Sequence, residues 1–288
     1  MRFHSAESEQ EALGLLAEHG SDIQLLAGGS DVMIQLHRGE IESDFLLHLE
    51  RIESLKDSGR QNGHISLGSL VTHRHLSSDR SLADALPALA EASRTVGGWQ
   101  TQEIGTVAGN VANASPAADT IPPLLVGEAV VHLSSAEGNR SQPLAEFIVG
   151  RRHTKRRPDE MIMALEVEPL ERGSGEVYLK VGPRSAMEVA LVGLAVRLTL
   201  DAEDTVTDAR IAVCSVAPVA YRCHQAEEVL VGSKLDDRLV DEAGKLLMNS
   251  AEPIDDARAS ANYRKRILAP LLGRAVGICR ERAGGGHS

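Results

Sequence analysis

Two stretches of this chain combine glycine with small polar residues in a way that suits the holding of phosphate. The first, LLAGGSDVMIQLHRG at residues 25–39, passes from an apolar segment through Gly28 and Gly29 to Ser30 and Asp31, then into a helical pattern. Glycine tolerates positive φ and lets a ligand approach the main chain, so Gly28-Gly29 can turn successive N–H groups inward as an anion nest. Ser30 adds a hydroxyl, and a helix beginning near Asp31 points its positive dipole end at whatever sits there. Taken alone, the same four residues equally describe a turn that only caps a helix.

The second stretch, IGTVAGNVANASPAAD at residues 104–119, repeats the combination with Thr106, Gly109 and Asn110, then adds Ser115, Pro116 and Asp119 ahead of another helical segment. Two such loops suit two phosphates, and Asp119 can accept from sugar hydroxyls or an adenine amine. A pyrophosphate-bearing dinucleotide fits best. The pattern is not Gly-x-Gly-x-x-Gly after a first strand, so a Rossmann fold is not supported.

Several elements must position these loops. Ser8 and Glu11 have capping-box spacing, Leu13, Leu15 and Leu16 form an apolar helical face, and Gly20 supplies a terminator. Residues 23–27 read as a buried strand, 31–37 as a short helix and 45–49 as a second strand, an α/β layer that binds at its strand ends. HISLGSLV follows as a strand and residues 82–96 as a helix, whereas 97–118 show almost no apolar period. So long a stretch without period is expected to be functional or disordered. EAVVHL, EMIMALEVE and GEVYLKVG read as strands. LERGSGE at 170–176 marks a boundary. Beyond it, two paired antiparallel strands (VALVGLAVRLTLD, VTDARIAVCSVAP) and helices at about 221–231, 236–249 and 259–282 predict a separate α+β domain, with a flexible tail at 283–288.

Composition removes several classes of function. The 288 residues allow two domains, and no apolar run approaches the roughly 20 residues needed to span a bilayer. The first residues carry no apolar leader, so a cytoplasmic address is expected. Thirty Lys and Arg against 41 Asp and Glu give a charge of −11, which opposes nucleic-acid binding. Cys214, Cys223 and Cys279 offer neither a disulfide framework nor the four thiolates of an iron–sulfur cluster.

Four smaller features compete for a role. His73 and His75 have His-x-His spacing, yet nothing nearby completes a metal site and Thr72 suits a helix N-cap, so no metal is expected. The basic run at 151–157 reads as a solvated loop or a face toward an acidic partner or a pyridine nucleotide. Trp99 suits stacking on a flat ring of a dinucleotide, or packing under the second loop. Tyr178 and Lys180, two apart on a strand, share a face.

LLAGGSDVMIQL, GTVAGNVANASPAADTIPPLL, RPDEMIMALEVEP and YLKVGPRSAMEVALVGLAVRL occur in that order, and together they resemble the FAD-binding medium subunit of the molybdenum hydroxylases, the xanthine dehydrogenase and carbon monoxide dehydrogenase family. The similarity covers about residues 1–282. It implies an α+β chain: a two-subdomain FAD-binding fold of the vanillyl-alcohol oxidase (PCMH) type at 1–172, with subdomains at about 1–55 and 56–172, then a C-terminal domain at 176–282 with a small antiparallel sheet and helices. It also implies a cofactor-binding set: Leu26, Ala27, Gly28, Gly29, Ser30, Asp31 and Val32 from the first loop, Thr106, Val107, Ala108, Gly109 and Asn110 from the second, and Ser115, Asp119, Ile162 and Lys180 beyond them. Lys180 is the strand lysine whose charge would favour the reduced ring.

Three positions depart from the family pattern. Ala108 replaces the first glycine of Thr-x-Gly-Gly-Asn, which a methyl satisfies only at negative φ. TQEIGT lacks the usual Arg-Asn, and Glu188 stands for Asp. The function implied is electron transfer: FAD on this chain takes electrons from [2Fe-2S] clusters on a small partner, themselves fed by a molybdenum cofactor on a large partner, and passes them to NAD+ or another acceptor. Such proteins form heterotrimers that commonly dimerise. No side chain need act as acid or base. The alternatives are a stand-alone FAD oxidoreductase of the same fold and a non-catalytic nucleotide-binding assembly protein.

Overall fold

A computed structural model describes residues 1–184 and 187–284. Its first unit is a three-stranded parallel sheet with the buried strand Phe45–His48 between Arg2–Ser5 and Ile23–Leu26. Helix Glu9–His19 covers it. Ser8 Oγ accepts from Glu11 N–H at 3.2 Å, and Gly20 takes a positive φ of 51° where the helix stops. Leu16, Ile23, Phe45 and Leu47 close this core, together with Leu70 and Met161 from the next unit.

The second unit is a five-stranded antiparallel sheet ordered Ser58–Gln61, His64–Gly68, Met161–Val167, Val130–Ser135, Gly138–Pro143. Asn62 and Gly63 make its first hairpin with φ of 50° and 90°, the double positive φ that a two-residue Asn-Gly turn needs. Helices fill the long crossover between His64–Gly68 and Val130–Ser135. The helix expected at 82–96 is two, Arg80–Ala85 and Pro87–Thr95, because Pro87 lacks the N–H that would carry the first onward. The stretch expected to be irregular, 97–118, holds two short helices, Trp99–Ile104 and Val107–Asn113. Their period was invisible because each makes only about two turns and the second is built of small residues.

A four-stranded antiparallel sheet follows, ordered Ser174–Val181, Val192–Leu200, Val206–Cys214, Tyr221–Arg222. Its two faces differ in size. Val177, Leu194, Val196, Ile211 and Val213 point into a core shared with helices Asp237–Ser250 and Ala261–Gly284, while Tyr178, Ala195 and Ala212 join the core of the preceding unit. The alanines let helix Ile121–Val126 lie close on this sheet. Helix Pro87–Thr95 runs along the first strand: Ala88 N–H donates to Glu176, Tyr178 N–H to Glu91, and Lys180 Nζ to the Thr95 carbonyl. Buried Glu176 also accepts from Arg197 at 2.6 Å, an ion pair that satisfies both groups across this junction. Of the expected tail, residues 283 and 284 finish the last helix and 285–288 lie outside the described residues. Among the described residues, no helix is long and apolar enough to cross a membrane.

Candidate functional site

The first loop begins where strand Ile23–Leu26 runs out. Gly28 is required by contact: a Cβ there would lie 1.6 Å from the Ile104 carbonyl oxygen and 3.0 Å from Gly105 N, so the two loops touch through their backbones. Gly29 is required by conformation, with φ at 70°. Asp31 precedes helix Val32–His37 without capping it through its side chain, and the first N–H to bond back is that of Met33, to the Gly29 carbonyl at 3.1 Å. Among the described residues the backbone N–H groups of Gly28, Gly29, Ser30, Asp31 and Val32 have no partner. Leu26 is buried, and Ala27 and Val32 are half-buried.

The second loop is built differently. Thr106 Oγ1 accepts from Gly109 N–H at 2.9 Å and caps helix Val107–Asn113. The loop is stitched to residues 71–73 by Val107 N–H to the Val71 carbonyl and His73 N–H to the Gly105 carbonyl, both 3.0 Å. Val107 and Ala108 are buried within the helix, where φ is negative, so the Ala108 methyl is accommodated. Asn110 Oδ1 accepts from Thr120 Oγ1 at 2.8 Å, and Ser115 Oγ accepts from Ala117 N–H at 3.3 Å. Asn113 Oδ1 joins the loops a second time, accepting from Gln35 at 3.0 Å and Arg152 at 2.8 Å. Gln35 and Asn113 escaped the sequence reading, since a contact between residues this far apart in the chain leaves no local signature.

Asp119 is buried and turned inward. Tyr178 Oη donates to its Oδ1 at 2.6 Å and Lys180 Nζ to its Oδ2 at 2.8 Å, so donors from this chain occupy both oxygens expected to meet sugar hydroxyls or adenine. Burial pushes the Asp119 carboxyl up from its ordinary value, and Lys180 and Tyr178 oppose that rise. Lys180 also donates to the carbonyls of Thr95 at 3.0 Å and Glu188 at 2.9 Å. All three N–H bonds of the ammonium thus end on protein oxygens. Glu188 serves Lys180 with its main chain, which makes the Asp-to-Glu difference tolerable there. Ile162, buried in strand Met161–Val167, sits at a shift in register against Val130–Ser135.

The remaining candidates separate clearly. His73 is buried under Gly105 with Nδ1 unpartnered, and burial lowers its pKa to about 4, while His75 bonds Ser58. The two rings have different surroundings, and Thr72 Oγ1 caps the helix by accepting from His75 N–H. Trp99 is 69% exposed with the Arg74 guanidinium 4.7 Å over its ring, so it does not pack under the loop. Within the basic run, Arg156 donates to the Arg157, Pro158 and Glu160 carbonyls and Arg157 binds Asp159, so these two hold the loop together. Arg151, His153 and Lys155 face outward. The three cysteines are buried thiols.

Residues 1–169 match the family described as the FAD binding domain in molybdopterin dehydrogenase, and residues 177–278 match the carbon monoxide dehydrogenase flavoprotein C-terminal domain. The glyceraldehyde dehydrogenase medium chain of Sulfolobus acidocaldarius is 30% identical over 94% of this chain and 95% of its own. The 6-hydroxypseudooxynicotine dehydrogenase complex subunit alpha of Paenarthrobacter nicotinovorans is 29% identical over 96% and 94%. A chain of the carbon monoxide dehydrogenase of Hydrogenophaga pseudoflava superposes with a TM-score of 0.94 at 28% identity, covering 98% of both chains. An oxidoreductase component with two touching glycine loops, an inward Asp119–Lys180 pair and these matches along its length, the chain belongs to the FAD-binding medium subunits of the molybdenum hydroxylase family.

Proposed function

We propose that this chain is the electron-transfer subunit of a heteromeric molybdenum-containing hydroxylase or dehydrogenase. It receives electrons from [2Fe-2S] clusters on a small partner, which draws them from a molybdenum cofactor on a large partner, and delivers them to NAD+ or another acceptor. The observation that carries the reading is the first loop, where five consecutive N–H groups without partners begin at a glycine whose backbone is seated on the second loop. Such a cradle suits the pyrophosphate of FAD, because a row of backbone donors with no internal acceptor is completed by an anion.

In this reading Leu26, Ala27, Gly28, Gly29, Ser30, Asp31 and Val32 hold the pyrophosphate from one side. Thr106, Val107, Ala108, Gly109 and Asn110 hold it from the other, with Ser115 shaping the turn that follows. Asp119, Ile162 and Lys180 border the ring. The bound isoalloxazine supplies the redox chemistry. The protein orients it, keeps water from it and sets the field around it. Residues 1–172 form the flavin-holding unit and 176–282 the C-terminal unit, and the assembly is a cytoplasmic dimer of heterotrimers.

Co-expression with the chains encoded beside it and purification through a tag on this chain tests the proposal. A yellow complex containing iron, molybdenum and FAD is expected. A colourless chain that stays free of flavin after addition of FAD overturns it, and turnover of an organic substrate by the purified single chain would favour a stand-alone oxidoreductase.

A further inference from the structure

We infer that Tyr178 is a positioning residue of the flavin site: it fixes the Asp119 carboxylate, which in turn sets how much of the Lys180 charge is left to act on the ring. The inference rests on the FAD reading above.

Tyr178 and Lys180 stand on one face of strand Ser174–Val181, and each takes one oxygen of a carboxylate supplied by the crossover segment of the other unit. Two donors on two oxygens lock the carboxylate against rotation. The pair lies next to the second loop, since Thr120, the neighbour of Asp119, is bonded to Asn110. The Lys180 side chain is 8% exposed, and every one of its N–H groups ends on a protein oxygen. What it contributes to a neighbouring ring is therefore a field, and the size of that field depends on how far Asp119 neutralises it.

The opposite strand shows how the phenol is held in place. Gly193 pairs with Lys180 on one side and with Cys214 on the other. A Cβ at Gly193 would lie 2.4 Å from Tyr178 Oη and 2.5 Å from Cys214 Sγ, so phenol and thiol occupy the space that a side chain at 193 would fill. Neither is a competing charge. Burial holds the phenol well above its usual pKa and pushes the Cys214 thiol up to about 12, so Tyr178 remains a donor throughout the neutral range. Without that donor, the carboxylate, still held ionised by the ammonium 2.8 Å away, no longer shares its charge with the phenol, and that charge falls more completely on Lys180. The positive field weakens, and a reduced, negatively charged ring loses stabilisation.

The test is Tyr178→Phe, which keeps the ring and removes only Oη, with Gly193→Ala as a second variant that displaces the phenol by contact. FAD content, melting temperature and flavin midpoint potential are measured for each. We expect Tyr178→Phe to retain FAD and to lower the equilibrium constant for ring reduction about tenfold, a negative shift of about 30 mV for a two-electron couple. Gly193→Ala should shift in the same direction. It carries the test if Tyr178→Phe does not fold. An unchanged or more positive potential in the FAD-loaded variant overturns the positioning role. A wild-type chain that binds no FAD overturns the flavin reading instead, and the two failures are thereby distinct.

Discussion

The two glycine loops look alike in composition and differ in what their main-chain groups do. In the first, the N–H groups of Gly28, Gly29, Ser30, Asp31 and Val32 point to no acceptor among the described residues. In the second, Gly109 and Asn110 donate to Thr106, and the loop is stitched to residues 71–73 on both sides. One loop leaves its donors free, and the other is a braced wall. Similar sequence chemistry thus serves two mechanical purposes, and hydrogen-bond partners, more than residue types, tell them apart.

The comparison breaks most severely at Gly28, the point where the loops meet. Gly28→Val places a Cβ against the Ile104 carbonyl, and backbone on both sides leaves no flexible group to yield. A loss of about 4 kcal/mol, the upper range for one substitution, is expected together with complete loss of FAD from the purified protein. Retention of FAD in a folded Gly28→Val protein would show that contact between the loops is not needed for the clamp.

A smaller effect should appear in acid, on the braced loop alone. His73 donates its N–H to Gly105 and buries its ring beneath it, with a pKa lowered from 6.5 to about 4. The unfolded chain takes up this proton below pH 6.5 and the folded chain does not, so stability is full above that value and falls as the pH drops toward 4. The loss approaches about 3 kcal/mol. Denaturation of wild type and His73→Leu across that window checks the sign. Equal slopes for the two proteins would remove His73 as the acid-sensitive anchor.

The smallest change sharpens the contrast from the other direction. Ala108→Gly restores the family pattern but puts glycine inside a buried helix, at a cost of about 1 kcal/mol. A lower melting temperature with no gain in FAD affinity is expected. Tighter FAD binding would mean that the second loop meets the ligand more closely than a braced wall should.

Some of the architecture was legible because its causes are local. Ser8 and Thr72 cap helices through their own side chains, Gly20 ends one at positive φ, and the antiparallel pair Val192–Leu200 and Val206–Cys214 alternates large and small residues between two cores. Strand Arg2–Ser5 escaped because it is largely exposed and joins the sheet through main-chain pairing with Phe45–His48, which leaves no side-chain period to read. Helices Trp99–Ile104 and Val107–Asn113 escaped because packing, more than amphipathic patterning, sustains such short segments.

The sequence by itself determined the family, the α+β class and the two loops, since ordered motifs and turn chemistry are properties of neighbouring residues. Only the tertiary structure decided that Gly28 rests on Ile104, that Asn113 ties Gln35 to Arg152, that Trp99 lies outside and that Asp119 faces Tyr178 and Lys180. The physical reason is distance along the chain. These contacts join segments tens of residues apart, and they exist only once the sheets have twisted and packed, so no local pattern encodes which donor reaches which acceptor.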